Sequence, residues 1–188
     1  MIPYTIEPRP DTGVTNVTLG IWLFLASEVM LFGAMFSSYA LLRYSAVEWP
    51  VGPTLLDLNL GLTNTLVLVV LTITAWQARR APVAKARNLL LTDAALALAF
   101  LGVKGIEYSH EIGRGMVPSV NTFLGMYFTL TGLHALHVAA GLAAILWAWS
   151  GAARVSAAMT RGRIQALALY WAFVDVVWLL ILVVVYFF

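Results

Sequence analysis

The sequence predicts an all-α fold, an integral membrane bundle of five transmembrane helices, and three observations predict it. Of 188 residues, 61% are hydrophobic and 11% charged, against roughly 25% charged in an average soluble domain. The apolar residues fall in continuous runs rather than in stripes, and five runs reach the about 20 residues that a helix needs to cross a hydrocarbon core about 30 Å thick. The basic residues gather in the loops between those runs. Helix is required because lipid offers backbone N–H and C=O groups no partner outside their own segment.

The first span runs from about Leu19 to Leu42 and is interrupted only by Glu28. The second, about Leu58 to Ala78, carries no formal charge, although Asn59 and Asn64 lie within it. The third, about Leu89 to Tyr108, is the least apolar, with Asp93, Lys104 and Glu107. The fourth, about Phe123 to Trp149, holds His134 and His137, and the fifth, about Ile164 to Phe188, holds Asp175. Proline and glycine punctuate the connections at Trp49 to Pro53, Ala81-Pro82, Gly113 to Pro118 and Gly151 to Gly162. No soluble domain fits between spans, so the chain divides into a tail, residues 1–17, and one membrane domain, residues 18–188.

Lysine and arginine enrich cytoplasmic loops. With five spans, the tail and the second and fourth loops share a side, and they hold Arg9, Arg79, Arg80, Lys85, Arg87, Arg154, Arg161 and Arg163, against Arg43 and Arg114 opposite. The N-terminus is therefore expected in the cytoplasm and the C-terminus on the periplasmic or extracellular side. Met1 to Val17 is polar and lacks the basic start and early apolar core of a cleavable signal peptide, so the first helix is expected to be retained. A net charge of +2, scattered over loops, does not suit nucleic-acid binding. Without cysteine there is no disulfide, thiolate metal site, iron–sulfur cluster or cysteine nucleophile.

Glu28 is the most informative position, a carboxyl about ten residues into an apolar span. Burying it as an ion costs several kcal/mol, so it is expected protonated, hydrogen-bonded to another helix, or facing a polar cleft. It is a functional candidate for proton handling by default, with gluing two helices as the alternative. His134 and His137, three apart, project from one side of the fourth helix. They lack the further ligands of a metal or haem site, and hydrogen bonding between helices, with Glu28 as one partner, suits them better. Asp175 has Trp171 four residues before it and Trp178 three after, so the three share a face and an indole N–H is a donor for the buried carboxyl. Lys104 and Glu107 are placed to pair. Asp93 is within reach of the membrane interface or of Arg87, and Tyr186-Phe187-Phe188 reads as an aromatic interfacial anchor. Trp22, Glu107, Trp171 and Trp178 are candidates for lipid or helix-interface contacts. No phosphate-cradling glycine loop, activated nucleophile or ligand set for haem or copper is present, and the expected metal content of the chain is none.

Several separated segments carry a family resemblance. They are Gly20 to Phe32 with its Ser27-Glu28-Val29, Asn64-Thr65 with Trp76, the helix end at Glu107-Tyr108, Thr131 to Gly141 with its two histidines, and Tyr170 to Leu179. In this order and on successive spans they resemble the subunit III family of haem-copper oxidases, in the short five-helix form of cytochrome c oxidase subunit 3. The resemblance covers roughly residues 18 to 188. It implies an accessory subunit without a redox centre, docked on subunit I in a complex that also holds subunit II. Those partners would carry the haem and copper that reduce dioxygen while protons are pumped. The implied role is to stabilise subunit I during turnover and to support proton uptake, with bound phospholipid. The family's carbodiimide-reactive glutamate falls by motif on Glu28, and a bacterial cytoplasmic membrane is the implied location. Larger members have two further helices that close a lipid-holding cleft; this chain lacks them. Ala172 also stands where the family often has histidine. A quinol oxidase is the alternative complex, a nitric oxide reductase a third, and a stand-alone proton-coupled transporter using Glu28 and Asp175 is the reading from another class.

Overall fold

The computed structural model describes residue 5 and residues 7–50, 52–151 and 155–187; Arg154 and Phe188, which entered the charge and anchor expectations, lie outside them. Five long helices are present: α1 (Asn16–Ser45), α3 (Leu58–Arg80), α4 (Val83–Gly113), α5 (Thr122–Gly151) and α6 (Ala157–Ile181). A four-residue helix, α2 (Gly52–Leu55), precedes α3, and α6 continues into a π-helical turn, Leu182–Phe187. All five are long and apolar enough to cross a membrane. Most overrun the apolar runs by a turn or more, α4 most of all: a 31-residue helix is about 46 Å long at about 1.5 Å per residue, so its polar ends emerge from the hydrocarbon.

The ends are set by local chemistry. Thr15, Asp57, Asn121 and Ser156 each accept a backbone N–H from the first turn of α1, α3, α5 and α6, which satisfies donors the helix itself cannot. At the other end of α4, Gly115 takes φ +77°, and Met116 N–H reaches Glu111 O at 3.0 Å while Gly115 N–H reaches Ile112 O at 2.9 Å. That pairing is a Schellman cap, and it needs a residue that tolerates the left-handed region.

Helices α3, α4, α5 and α6 pack as a ring, each touching the next and α6 closing onto α3. Lipid tails are as apolar as leucine, so close packing rather than water exclusion holds such a ring together. Small residues permit it: Ala75 and Ala78 on α3 and Ala86, Ala94 and Ala97 on α4 are buried, and a Cβ on Gly141 would lie 2.7 Å from the Trp171 ring. At the centre, Phe100 stands edge-on to both Trp178, at 5.1 Å, and His134, at 5.4 Å.

Helix α1 lies outside the ring, against α6 and α5. Its buried residues are Leu25, Phe32 and Tyr39, seven apart, with partly buried Glu28 and Met35 between them and Ile21 one turn before. This is a heptad seam, so α1 is held along one stripe. Its outer face carries Trp22, Leu23 and Met30, all largely exposed. The seam ends where Tyr39 donates its hydroxyl to Val184 O, 3.1 Å away in the π-helical turn. That turn is also approached by α2, where a Cβ on Gly52 would fall 1.9 Å from Val185 O.

Candidate functional site

Among the described residues, two ion-pair-forming centres lie within the apolar bundle, one on the α1 seam and one inside the ring. On the seam, Glu28 occupies the heptad position facing α5, where Oε2 is 2.9 Å from His137 Nε2. The side chains are 13% and 12% exposed, so the pair sits at the rim of the bundle and not in its core. His137 Nδ1 is 2.8 Å from Leu133 O. A carbonyl only accepts, so Nδ1 carries a hydrogen. One proton then remains for Nε2 and Glu28 to share, and the pair exists either as imidazole with carboxylic acid or as imidazolium with carboxylate. The backbone beneath is fixed by Tyr170, whose hydroxyl donates to His137 O at 2.8 Å, and the Phe32 ring lies 5.1 Å from the imidazole.

Next to this pair a groove of about 500 Å³ runs between α1, α5 and α6 toward the N-terminal end of α1. Ile21 and Phe24 form one wall, Ala140, Ala144 and Trp147 the second, and Met159, Leu167 and Tyr170 the third. Among the described residues Arg163 is the one charged residue lining it, its guanidinium 3.9 Å over the Trp147 ring. Small α5 side chains open the groove, and Phe24, one helical turn before Glu28 on α1, and Tyr170, bonded to the His137 backbone, line it on the side of the pair. An apolar slot with a single cation at its mouth has the chemistry of an acyl chain ending in a phosphate.

Inside the ring, Lys104 and Glu107 pair at 3.1 Å with 2% and 0% exposure. Glu107 Oε1 also accepts the hydroxyls of Tyr127, at 2.8 Å, and Tyr186, and Lys104 Nζ is 2.7 Å from the Tyr186 oxygen. Both charges thus have several partners, the condition for burying an ion pair without a large penalty. Tyr186 is fully buried, which corrects its reading as an interfacial anchor: the π-helical turn rotates it inward to meet the pair. Asp93 is corrected likewise. It is 1% exposed and accepts the Thr74 hydroxyl of α3 rather than reaching the interface or Arg87.

The remaining candidates do not converge. His134 is fully buried, with Nε2 3.1 Å from Val174 O, so it bonds a helix backbone and not Glu28. Trp178 Nε1 donates to Thr65 at 2.9 Å, and among the described residues Trp171 Nε1 has no partner; neither indole satisfies Asp175, whose Oδ1 is also unpaired among them. A shared helical face brings the three close in projection, but an indole N–H reaches out toward the next helix and not back to its own. Glu107 lies in the ring and Trp22 on the exposed outer face of α1. Among the described residues no three His, Asp or Glu side chains gather as metal ligands. The sequence reading missed Tyr127, Tyr170 and Arg163. The signal for the tyrosines was a phenol within an otherwise apolar span, where its hydroxyl must find a partner.

The chain matches the family model described as cytochrome c oxidase subunit III over residues 10–188. It is 34% identical over 182 residues to the cytochrome bo(3) ubiquinol oxidase subunit 3 of Pseudomonas aeruginosa, covering 91% of this chain and 84% of that one. It is 32% identical over 175 residues to a cytochrome c oxidase subunit 3 of Thermostichus vulcanus, covering 89% and 85%. The heme-copper oxidase subunit I+III of Aeropyrum pernix is 31% identical over 180 residues, which span 88% of this chain and 22% of that one.

Proposed function

Because the chain belongs to the cytochrome c oxidase subunit III family, we propose that it acts by keeping an oxidase's catalytic subunit intact during turnover, through a lipid seated beside the Glu28–His137 pair. It is a subunit III of a haem-copper terminal oxidase and a multi-pass membrane protein. The observation that carries the mechanism is the Glu28–His137 contact beside an apolar groove that Phe24, Tyr170 and Arg163 help to line. An acyl chain in the groove would pack on Phe24 and Tyr170 next to the pair and hold α1 to α5 and α6; its phosphate would meet Arg163. The pair then keeps one exchangeable proton at the bundle edge, suited to support proton uptake by the neighbouring subunit.

Subunit I is the direct partner in this reading, supported by the relative whose name joins subunits I and III, and subunit II completes the complex. Haem and copper belong to those partners, and oxidase activity belongs to the complex. Residues 1–17 form a cytoplasmic tail, the C-terminus is periplasmic, and the membrane is the bacterial cytoplasmic one, as the basic loops favour. Cytochrome c is the proposed donor, in line with the family description. Quinol is the second reading, favoured by the bo(3) relative, and comparing the purified complex's activity with reduced cytochrome c and with ubiquinol separates them.

The test is Glu28→Ala in the assembled oxidase. Haem content stays near normal while the enzyme inactivates faster during catalysis. Failure of the complex to assemble would assign Glu28 a structural role instead. A chain that purified alone, colourless and moving protons in liposomes, would overturn the accessory-subunit reading.

A further inference from the structure

A second pocket, of about 270 Å³, lies on the opposite flank of the bundle, between the end of α3 and the first turns of α6. Trp76, Arg79, Arg80, Arg161 and Gln165 line it. The Arg79 guanidinium stacks 4.2 Å over the Trp76 ring, and among the described residues no carboxylate lines the pocket. Arg79 and Arg80 follow from topology, and the C-terminus of α3 favours cations there. Arg161, the fifth residue of α6, belongs to the same basic side; what topology does not require is that the three arginines line one concavity. Arg80 and Arg161 are exposed and Arg79 half-buried, and three guanidiniums drawn from two helices into one concavity raise the local positive potential and so favour an anion between them. Their planar forks match the oxygens of a phosphate, Gln165 adds an amide donor, and Trp76 is the side chain that anchors at headgroup depth.

We propose that this pocket binds a phosphate group, carried by an anionic phospholipid at the membrane surface or by a free phosphate. It shares no lining residue with the groove beside Glu28 and does not depend on the lipid placed there.

The test counts lipids on the purified oxidase complex by native mass spectrometry after delipidation. The complex is re-exposed to phosphatidylglycerol vesicles, to phosphatidylcholine vesicles, or to inorganic phosphate. Wild type retains a phosphatidylglycerol that Arg79→Gln/Arg80→Gln/Arg161→Gln loses, with retention about a hundredfold weaker, at about fivefold for each arginine removed. Arg163→Gln, confined to the groove, leaves this lipid bound, so failure of the groove reading and failure of this one give different results. Binding of inorganic phosphate without phosphatidylglycerol assigns the pocket to a free phosphate. Should the glutamine variant not assemble, Arg79→Lys/Arg80→Lys/Arg161→Lys keeps the charges and the topology, and retention falls by roughly tenfold as the forked hydrogen bonds are lost. Retention of phosphatidylglycerol equal to wild type in either variant, or binding of neither probe by wild type, overturns the proposal. Loss of the subunit from the complex with that lipid still bound also overturns it, pointing to carboxylates of a partner.

Discussion

The Lys104–Glu107 network inside the ring and the Glu28–His137 pair on its flank both place a carboxyl beside a cation-forming group, yet they are built differently. In the ring, four side chains from three elements close on one another and exclude solvent entirely. On the flank, two side chains meet across a single seam and stay partly open. The first arrangement has no spare valence and no access, which suits a structural clasp. The second leaves a proton shared and a surface that a ligand can cover, which suits a site that responds. Depth and the number of partners, more than the presence of a charge, separate the two.

The sharpest way to break this contrast is to remove Glu107. Glu107→Leu strands the Lys104 ammonium and two phenols in the interior, and the ring should lose about 3–5 kcal/mol. The shift in the detergent-denaturation midpoint measures it, and Lys104→Met/Glu107→Leu should recover most of the loss because the orphaned charge is gone. A small effect from Glu107→Leu alone would put the ring network and the flank pair on the same footing.

Gly141 tests how the flank depends on the ring's packing. A Cβ there meets the Trp171 and Tyr170 rings at 2.7 and 2.8 Å, both buried between α5 and α6. Gly141→Ala should cost about 1–3 kcal/mol by overpacking and pull the Tyr170 hydroxyl from His137 O, read as a lower denaturation midpoint together with faster hydrogen exchange around residue 137. Tyr39→Phe acts on the far end of the seam. It frees a carbonyl of the π-helical turn, for about 1 kcal/mol, and loosens α1 without touching Glu28; exchange of the α1 amides checks it.

The residues that were legible from sequence and those that were not differ by the range of their interactions. Hydropathy locates all five helices because each span satisfies its own backbone. The Lys104–Glu107 pair follows from a spacing of three. Tyr127 and Tyr186 join that pair from residues 20 and 79 positions away, and the inward turn of Tyr186 depends on a π-helical register that hydropathy does not mark. Glu28 and the two histidines stood out as polar groups in apolar spans, but the choice of His137 over His134 is made by where α1 docks. Seven-residue spacing of Leu25, Phe32 and Tyr39 could have indicated that docking stripe, with Glu28 on it. The groove beside Glu28 has no sequence signature, since it is a gap between three helices left by Ala140 and Ala144.

The smallest expected effect carries the finest distinction. In the neutral form of the flank pair, Glu28 donates to His137 Nε2, and a glutamine amide donates in the same way. Glu28→Gln should then alter stability by less than about 0.5 kcal/mol, against about 1.5–3 kcal/mol if a charge-assisted bond is lost. Turnover separates a second property from the first, because glutamine keeps the hydrogen bond but cannot release its proton on demand. Should Glu28→Gln be as stable as wild type and yet inactivate during catalysis as fast as Glu28→Ala, the shared proton is what the site supplies. Should it survive turnover like wild type, the pair is a clasp after all, differing from the one in the ring only in depth.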